Sequence, residues 1–279
     1  MSSNDRLAGG ISFDRSGGRA ASANSYLGSA VLAVGTLKAL QPSDTRDALL
    51  SDVASGTLRL AVALGSYEFV PDADGADRLL VVTTDSEGAP VVDVAALAVT
   101  RQPVVDETRR LATVSADGIE AAEVLRFAGD PEEQVCRLHD RAAVAIACDS
   151  LGLSEAMLAA TVSYAKVRHQ FGRPIGSFQA VKHACADMQV AIAVSRQLVS
   201  SAVEAVAEDR QDASTATAMA KSYTCSAAVE VAGKSMQLHG GIGYTWESGI
   251  HVYLKRAILN RSLFGSQAAH RKRLAERYL

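Results

Sequence analysis

The sequence contains few cysteines, and those it has are not arranged in pairs. Its four cysteines are scattered through segments with helical patterning: Cys136, Cys148, Cys185 and Cys225. A metal knuckle or a redox dithiol needs closely spaced ligands, such as a C-x-x-C pair. We therefore expect these thiols to be small core residues rather than metal ligands or nucleophiles, and we predict no metal site.

Long apolar runs and clustered charge are also absent. No segment reaches the roughly 20 uninterrupted apolar residues of a membrane span, so we predict no such span. The opening stretch, MSSNDRLAGGISFDRSGG, lacks the apolar core of a secretory leader, and we expect a cytoplasmic protein. The formal net charge of −3, with basic residues dispersed until the extreme C-terminus, argues against nucleic acid as a partner.

No glycine-rich phosphate loop follows a predicted strand, which argues against a Rossmann-type nucleotide domain. The Gly-rich stretch HGGIG, at residues 239–243, follows a helical segment and lacks the spacing of that fingerprint. Helical patterning comes first along the chain, short β-type runs come next, and long Ala-rich helical stretches fill the rest. This order predicts an α+β fold rather than alternating βαβ units.

The pattern divides the chain into four parts. Residues 1–24 lack periodicity and are interpreted as a mobile arm or as the remnant of a lost segment. Residues 25–56 carry a shortened set of N-terminal helices, Tyr26–Leu40 and Ser43–Ser55, the second capped by Ser43 or Asp44. Residues 57–128 are predicted to form a small antiparallel β middle domain. Residues 130–279 are predicted to form a C-terminal domain like a four-helix bundle, with breaks at residues 172–176, 210–213, 240–243 and 264–266.

Two segments of the helical part carry residues suited to a phosphate-containing cofactor. Tyr164–Gln179, YAKVRHQFGRPIGSFQ, places Arg168 and Phe171 beside a helix end, where a guanidinium could pair with a diphosphate and a ring could stack on adenine. Met236–Glu247, MQLHGGIGYTWE, contains a glycine-rich helix end whose backbone N–H groups are not obstructed by side chains. Each feature taken alone also fits helix capping or core packing.

These two segments, in this order, resemble two sequence blocks of the acyl-CoA dehydrogenases. The resemblance extends over about Leu138–Leu279, and the continuation SGIHVYLKRA is most similar to actinobacterial members associated with steroid side-chain degradation. It implies an oligomer in which the two blocks hold the ADP part of an FAD belonging to a neighbouring subunit. The FAD contacts implied in this way are Arg168, Phe171, Gln179, Gln237, Gly240 and Gly241.

The acid that this family uses as its catalytic base is missing from both places where the resemblance would put it. In the family a Glu removes the α-proton of the thioester while the β-hydride passes to flavin. The first position falls at Ala142, by ungapped counting back from Phe171, and the second falls at Phe264, before Gly265 and Ser266. Three carboxylates are candidate substitutes, with surface or capping roles as the alternative: Asp149, Asp140 and Glu247.

The middle and N-terminal parts also depart from the family pattern. Family members carry a run resembling T-E-P-G-x-G-S-D around the flavin ring, but residues 60–82 here read LAVALGSYEFVPDADGADRLLVV. The predicted N-terminal helices are too few for the helical domain that covers the acyl chain in the family. We therefore expect incomplete flavin-ring and acyl pockets on this chain.

The residues leave three hypotheses open. The first is a subunit of an FAD-dependent acyl-CoA dehydrogenase that lacks the base and acts on a CoA thioester of steroid side-chain type. Its full-length partner, in an α2β2 hetero-oligomer, would supply the base and hold most of the acyl-CoA. The second is a self-sufficient dehydrogenase with a relocated base. The third is a non-catalytic structural descendant of the family.

Overall fold

The computed structural model describes residues 26–87, 90–95, 99–115 and 121–276, so the predicted arm, residues 1–24, lies outside the described residues. The chain divides into two compact units, which among these residues comprise 26–142 and 143–276. Helices dominate and the sheets are small, as the α+β prediction requires. The division into domains at residues 57 and 130 stays a prediction.

The first described helices match the two expected from the sequence. A π-helical stretch, Tyr26–Ala33, continues as α1, Val34–Ala39, and α2 follows at Asp44–Ser55. Ser43 caps α2, because its hydroxyl accepts a hydrogen bond from the backbone N of Arg46 at 3.1 Å. The helix ends at Gly56, whose φ of 76° is the left-handed conformation common at helix C-termini.

The middle part of the chain contains two small sheets. Among the described residues their strands, β1 to β7, are Leu60–Leu64, Val70–Pro71, Arg78–Thr84, Pro90–Ala95, Val99–Arg101, Leu111–Val114 and Ala121–Arg126. One sheet has the order β1-β3-β4-β7 and the other β2-β6-β5. The strand pairs of these two sheets are antiparallel, as predicted, except that β1 runs parallel to β3. The intervening residues 65–77 return the chain to the starting end of β1, as a parallel pair requires.

Five helices form the rest of the described chain. Helices α3 to α7 are Pro131–Val167, Gln179–Ala207, Ala213–His239, Ile250–Ser262 and Gln267–Glu276. The interruptions between them coincide with the four predicted breaks. Within the unit formed by residues 143–276, four of these helices bury one apolar core, which includes Leu153, Met157, Met188, Ile192, Val231, Met236 and Ile250.

Helix α4 buries unusually little of its apolar surface. By length and composition alone, both α3 and α4 are apolar enough to cross a membrane, a test that core helices of globular proteins also pass. The most apolar window of α3 is 56% buried within the chain, but that of α4 is only 28% buried. Val190 and Val194 are among its exposed residues. An apolar face of this length is typical of a subunit interface.

The four cysteines differ sharply in their surroundings. Cys136 is exposed, Cys225 is buried, and the other two are intermediate. Burial, reinforced by the nearby Asp149 carboxylate, raises the pKa of the Cys148 thiol to about 11. Burial also raises the pKa of Cys185 and Cys225. Among the described residues, no group of three or more His, Cys, Asp or Glu side chains could hold a metal ion.

These surroundings predict selective thiol chemistry. With a disulfide reagent at pH 8, Cys136 should react rapidly because it is exposed, and Cys225 should stay protected because it is buried. Cys148 should also stay protected, because a thiol with a pKa of about 11 is about one part in a thousand thiolate at that pH. Stopped-flow absorbance of the native protein should show one fast thiol, and the protein in urea should show four. The variant Cys136→Ser should lose the fast phase. A fast phase from Cys148 or Cys225 would contradict the packing described above.

Candidate functional site

Helix α3 ends in a tight hairpin that presents the first of the two sequence blocks. Strand β8, His169–Gln170, pairs with β9, Arg173–Pro174, around a tip in which Phe171 and Gly172 have φ values of 54° and 76°. Two successive positive φ values match the twist of a hairpin, but for a bulky aromatic residue they cost on the order of 1 kcal/mol. The fold therefore holds the Phe171 ring at the tip at a cost in stability.

The Phe171 ring is 92% exposed and has one aromatic neighbour among the described residues. Phe178 lies 6.1 Å away between ring centroids, with the two planes at 84°. The guanidinium carbon of Arg173 lies 4.1 Å from the centroid of Phe178, a cation–π contact that holds this second ring in place. At 92% exposure, most of the Phe171 ring remains open to a planar ligand.

The polar residues of this block also face solvent. Arg168 is exposed, and its backbone is fixed by hydrogen bonds from its N to Tyr164 O at 2.9 Å and from Ile175 N to its O at 2.8 Å. Within the described parts of the chain, no carboxylate pairs with its guanidinium. Gln179, the first residue of α4, is exposed, with its Nε2 3.3 Å from His183 Nε2. A ligand could therefore engage both side chains without breaking an ion pair.

Helix α5 ends in the second, glycine-rich block. Gly240 terminates the helix with φ 63° and ψ −146°, a conformation almost restricted to glycine. A Cβ added at Gly240 or Gly241 would meet nothing within 4 Å, whereas one at Gly243 would lie 2.8 Å from Met236 O. Gly243 is therefore needed for internal packing, while the backbone at Gly240 and Gly241 is open to an external group. Gln237, one turn earlier, is exposed as well.

The structure brings the two blocks together at the ends of α3 and α5. The ring of Tyr164 stacks on the ring of His239, with 4.5 Å between centroids and 21° between planes. Tyr164 lies one turn before Arg168, and His239 immediately precedes Gly240. The hairpin and the glycine-rich turn are therefore neighbours on one end of the helical unit. A ligand with a diphosphate and an aromatic base fits the exposed cation and ring, and the open backbone at Gly240 and Gly241 leaves room for it.

The three candidate bases occupy different environments. Asp149 accepts two hydrogen bonds from the guanidinium of Arg256, at 2.7 and 2.9 Å, and one from Asn260 Nδ2 at 2.6 Å. Asp140 is buried and has polar contacts of its own, whereas Glu247 is exposed in the 3-10 turn Trp246–Ser248. The carboxylate of Asp149 is thus occupied in holding helices together.

The two positions at which the resemblance puts the base carry no acid in the structure either. Ala142 is fully buried inside α3. Phe264 lies in the turn between α6 and α7 with a φ of 53°, and its carbonyl oxygen is 3.0 Å from His270 Nε2. A Cβ at Gly265 would come 2.7 Å from that same His270 nitrogen, so the turn is closely packed.

A buried lysine that the sequence analysis missed anchors this turn. Lys221 is 1% exposed, and its ammonium donates to the carbonyl oxygens of Asn260 at 2.9 Å and Gly265 at 3.1 Å. Burial lowers the pKa of Lys221. A lysine within the Ala-rich α5 was the available signal, but sequence periodicity does not separate a buried lysine from a surface one.

Comparison with known proteins identifies relatives of this chain. The family model described as "Acyl-CoA dehydrogenase, C-terminal domain" matches residues 137–279. The acyl-CoA dehydrogenase IpdE2 of Mycobacterium tuberculosis is 36% identical over 242 residues, which cover 86% of this chain and 68% of IpdE2. The IpdE2 of Mycolicibacterium smegmatis is 35% identical, over 81% of this chain and 66% of the relative. The chain thus spans about two thirds of the length of these relatives.

Solved structures show the same fold. A variant of the Tcur3481-Tcur3483 steroid ACAD superposes with a TM-score of 0.78 at 27% identity, covering 90% of this chain and 74% of that one. The ChsE4-ChsE5 complex from Mycobacterium tuberculosis gives a TM-score of 0.80 at 25% identity, covering 92% and 76%. Both similarities extend over the middle sheets as well as the helices.

The contacts of Asp149 predict a structural role for its carboxylate. Asp149→Asn should lower the free energy of unfolding by roughly 3 kcal/mol, because it leaves the Arg256 guanidinium, whose side chain is 14% exposed, without its counter-charge. Urea denaturation followed by circular dichroism measures the change. As a matched control, Glu155→Gln breaks the exposed pair with Arg196 and should cost about 1 kcal/mol or less. Equal stability of Asp149→Asn and the wild type would refute the structural role.

Proposed function

Because the chain belongs to the acyl-CoA dehydrogenase family, we propose that it is a subunit of an FAD-dependent acyl-CoA dehydrogenase that does not itself carry the catalytic base. In this proposal its helical unit supports FAD binding in a hetero-oligomer, and a full-length partner subunit supplies the acid. The observation that carries the proposal is a contrast between two sets of positions. The residues suited to the cofactor are exposed, and Arg168 has no carboxylate partner among the described residues. Ala142 and Phe264, by contrast, occupy the two positions at which the resemblance puts the base.

The residues present fit the ADP part of FAD. Arg168 would pair with the diphosphate, since its guanidinium is exposed and has no carboxylate partner in the described chain. Phe171 would stack on the adenine, and the cofactor would approach the backbone at Gly240 and Gly241 without steric obstruction. Gln179 and Gln237 would add hydrogen bonds. When bound, FAD accepts the hydride that leaves the β-carbon of the acyl thioester.

The partner is proposed from three observations. Two structural relatives carry two-component names, and one of them is described as a complex. The apolar face of α4 needs a cover, because its most apolar window is only 28% buried. The ring of Phe171 also extends outward from the unit that carries it. An α2β2 assembly, in which most of the acyl-CoA site lies on the partner, is the arrangement we propose.

The description of one structural relative supports a proposal for the substrate class. One structural relative is described as a steroid ACAD, and we propose that the thioester handled by this assembly carries a bulky, steroid-derived acyl group. We propose the cytoplasm as its location. A self-sufficient enzyme based on Asp149 is disfavoured, because Arg256 and Asn260 already occupy that carboxylate.

The first test concerns flavin retention. Co-expression with a full-length acyl-CoA dehydrogenase subunit should give a yellow hetero-oligomer, and Arg168→Ala in this chain should weaken FAD binding about 10- to 100-fold, the worth of a charge-assisted hydrogen bond. The ratio of absorbance at 450 and 280 nm after gel filtration measures retention. Arg137→Ala removes an exposed arginine paired with Glu133 and serves as the matched control. Equal flavin content in Arg168→Ala and Arg137→Ala would sink the proposal.

The second test concerns the base. This chain purified alone and supplied with FAD should not bleach the flavin when a CoA thioester is added, because no acid stands at either base position. The hetero-oligomer should bleach, and replacing the acid at the base position of the partner by its amide should abolish bleaching. Anaerobic absorbance at 450 nm follows the reaction. Bleaching by the isolated chain would support the relocated base instead.

A further inference from the structure

The stacked pair Tyr164 and His239 is the contact that joins the two turns of the candidate site. The rings lie nearly parallel at 4.5 Å, and His239 is only 6% exposed. His239 Nδ1 lies 2.7 Å from the carbonyl oxygen of Ser235, one turn earlier in α5. Because a carbonyl oxygen only accepts, the proton must be on Nδ1, and this hydrogen bond fixes the plane of the ring.

Each turn packs closely against a helix residue that is adjacent to the stack or part of it. Gly176 in the first block lies so close to α3 that a Cβ there would be 2.9 Å from Ala165 O. Gly243 in the second block lies so close to α5 that a Cβ would be 3.1 Å from His239 Cβ. Ala165 directly follows Tyr164 in α3. The position of each turn is therefore set relative to one member of the stacked pair.

We infer that Tyr164 and His239 are positioning residues. Their contact sets the distance between the hairpin next to Arg168 and the turn that begins at Gly240, so that one bound FAD can contact both. This inference rests on the proposed function. Neither ring need touch the cofactor. A ligand that bridges two turns binds best when their separation is fixed beforehand, since binding then loses less conformational entropy. Loss of the stack leaves each turn folded locally but frees their relative position.

The test uses the flavin-stripped hetero-oligomer titrated with FAD and followed by flavin fluorescence. Tyr164→Leu and His239→Leu should each raise the Kd for FAD by about 10-fold, the upper range for an aromatic pair. The double variant should be no weaker than either single variant, because the same contact is lost in all three. Tyr164→Phe keeps the stacked ring and should stay within about 2-fold of the wild type.

A control separates positioning from general destabilisation. Ile192→Ala removes a side chain from the apolar core of the same helices and should lower the melting temperature while leaving the Kd for FAD within about 2-fold of the wild type. If Ile192→Ala weakens FAD binding as much as Tyr164→Leu at equal loss of melting temperature, the pair is merely structural and the inference fails. Unchanged FAD binding in both leucine variants would also overturn it. A wild-type complex that holds no flavin would instead overturn the proposed function, and with it this inference.

Discussion

The ion pair between Asp149 and Arg256 fixes α6, the helix that connects the glycine-rich turn to the turn of Phe264. It links the middle of α3 to α6, and Asn260 adds a third contact from the next turn of α6. The glycine-rich turn precedes α6, and the turn of Phe264 follows it. Helix α3 itself ends in the hairpin of Phe171. A partly buried pair of this kind stabilises only because its geometry is good, and here both guanidinium contacts are short.

Much of the helical architecture was predictable because the local signals agree with the final structure. Three of the predicted breaks contain glycines, and the fourth directly follows Asp209, whose φ is positive. Ser43 caps α2, as a serine at that position should. The parallel pairing of β1 with β3 was not predictable, because strand direction depends on how the connection travels and not on the strand residues. The short β2 was not predictable either, because a run of two residues carries no alternation.

For the site, the sequence identified residue types but not their relations. Arg168 lies beside an exposed hairpin and Gly240 at a helix end, and the stacking of Tyr164 on His239 explains why the two blocks meet. That contact joins residues 75 positions apart, and no local pattern encodes it. Lys221 was overlooked for a similar reason: its partners are backbone carbonyl oxygens of a distant turn, which leave no signature in side-chain identity.

The turn at Phe264 has a consequence for how such a chain can change over time. The carbonyl oxygen of Gly265 accepts a hydrogen bond from Lys221, and that of Phe264 accepts one from His270. Gly265 also lies so close to His270 that there is no room for a Cβ. None of these contacts involves the Phe264 side chain. The conformation of the turn therefore does not depend on which side chain residue 264 carries. A single substitution at Phe264 could therefore change the side chain that the turn displays and leave the surrounding hydrogen bonds in place.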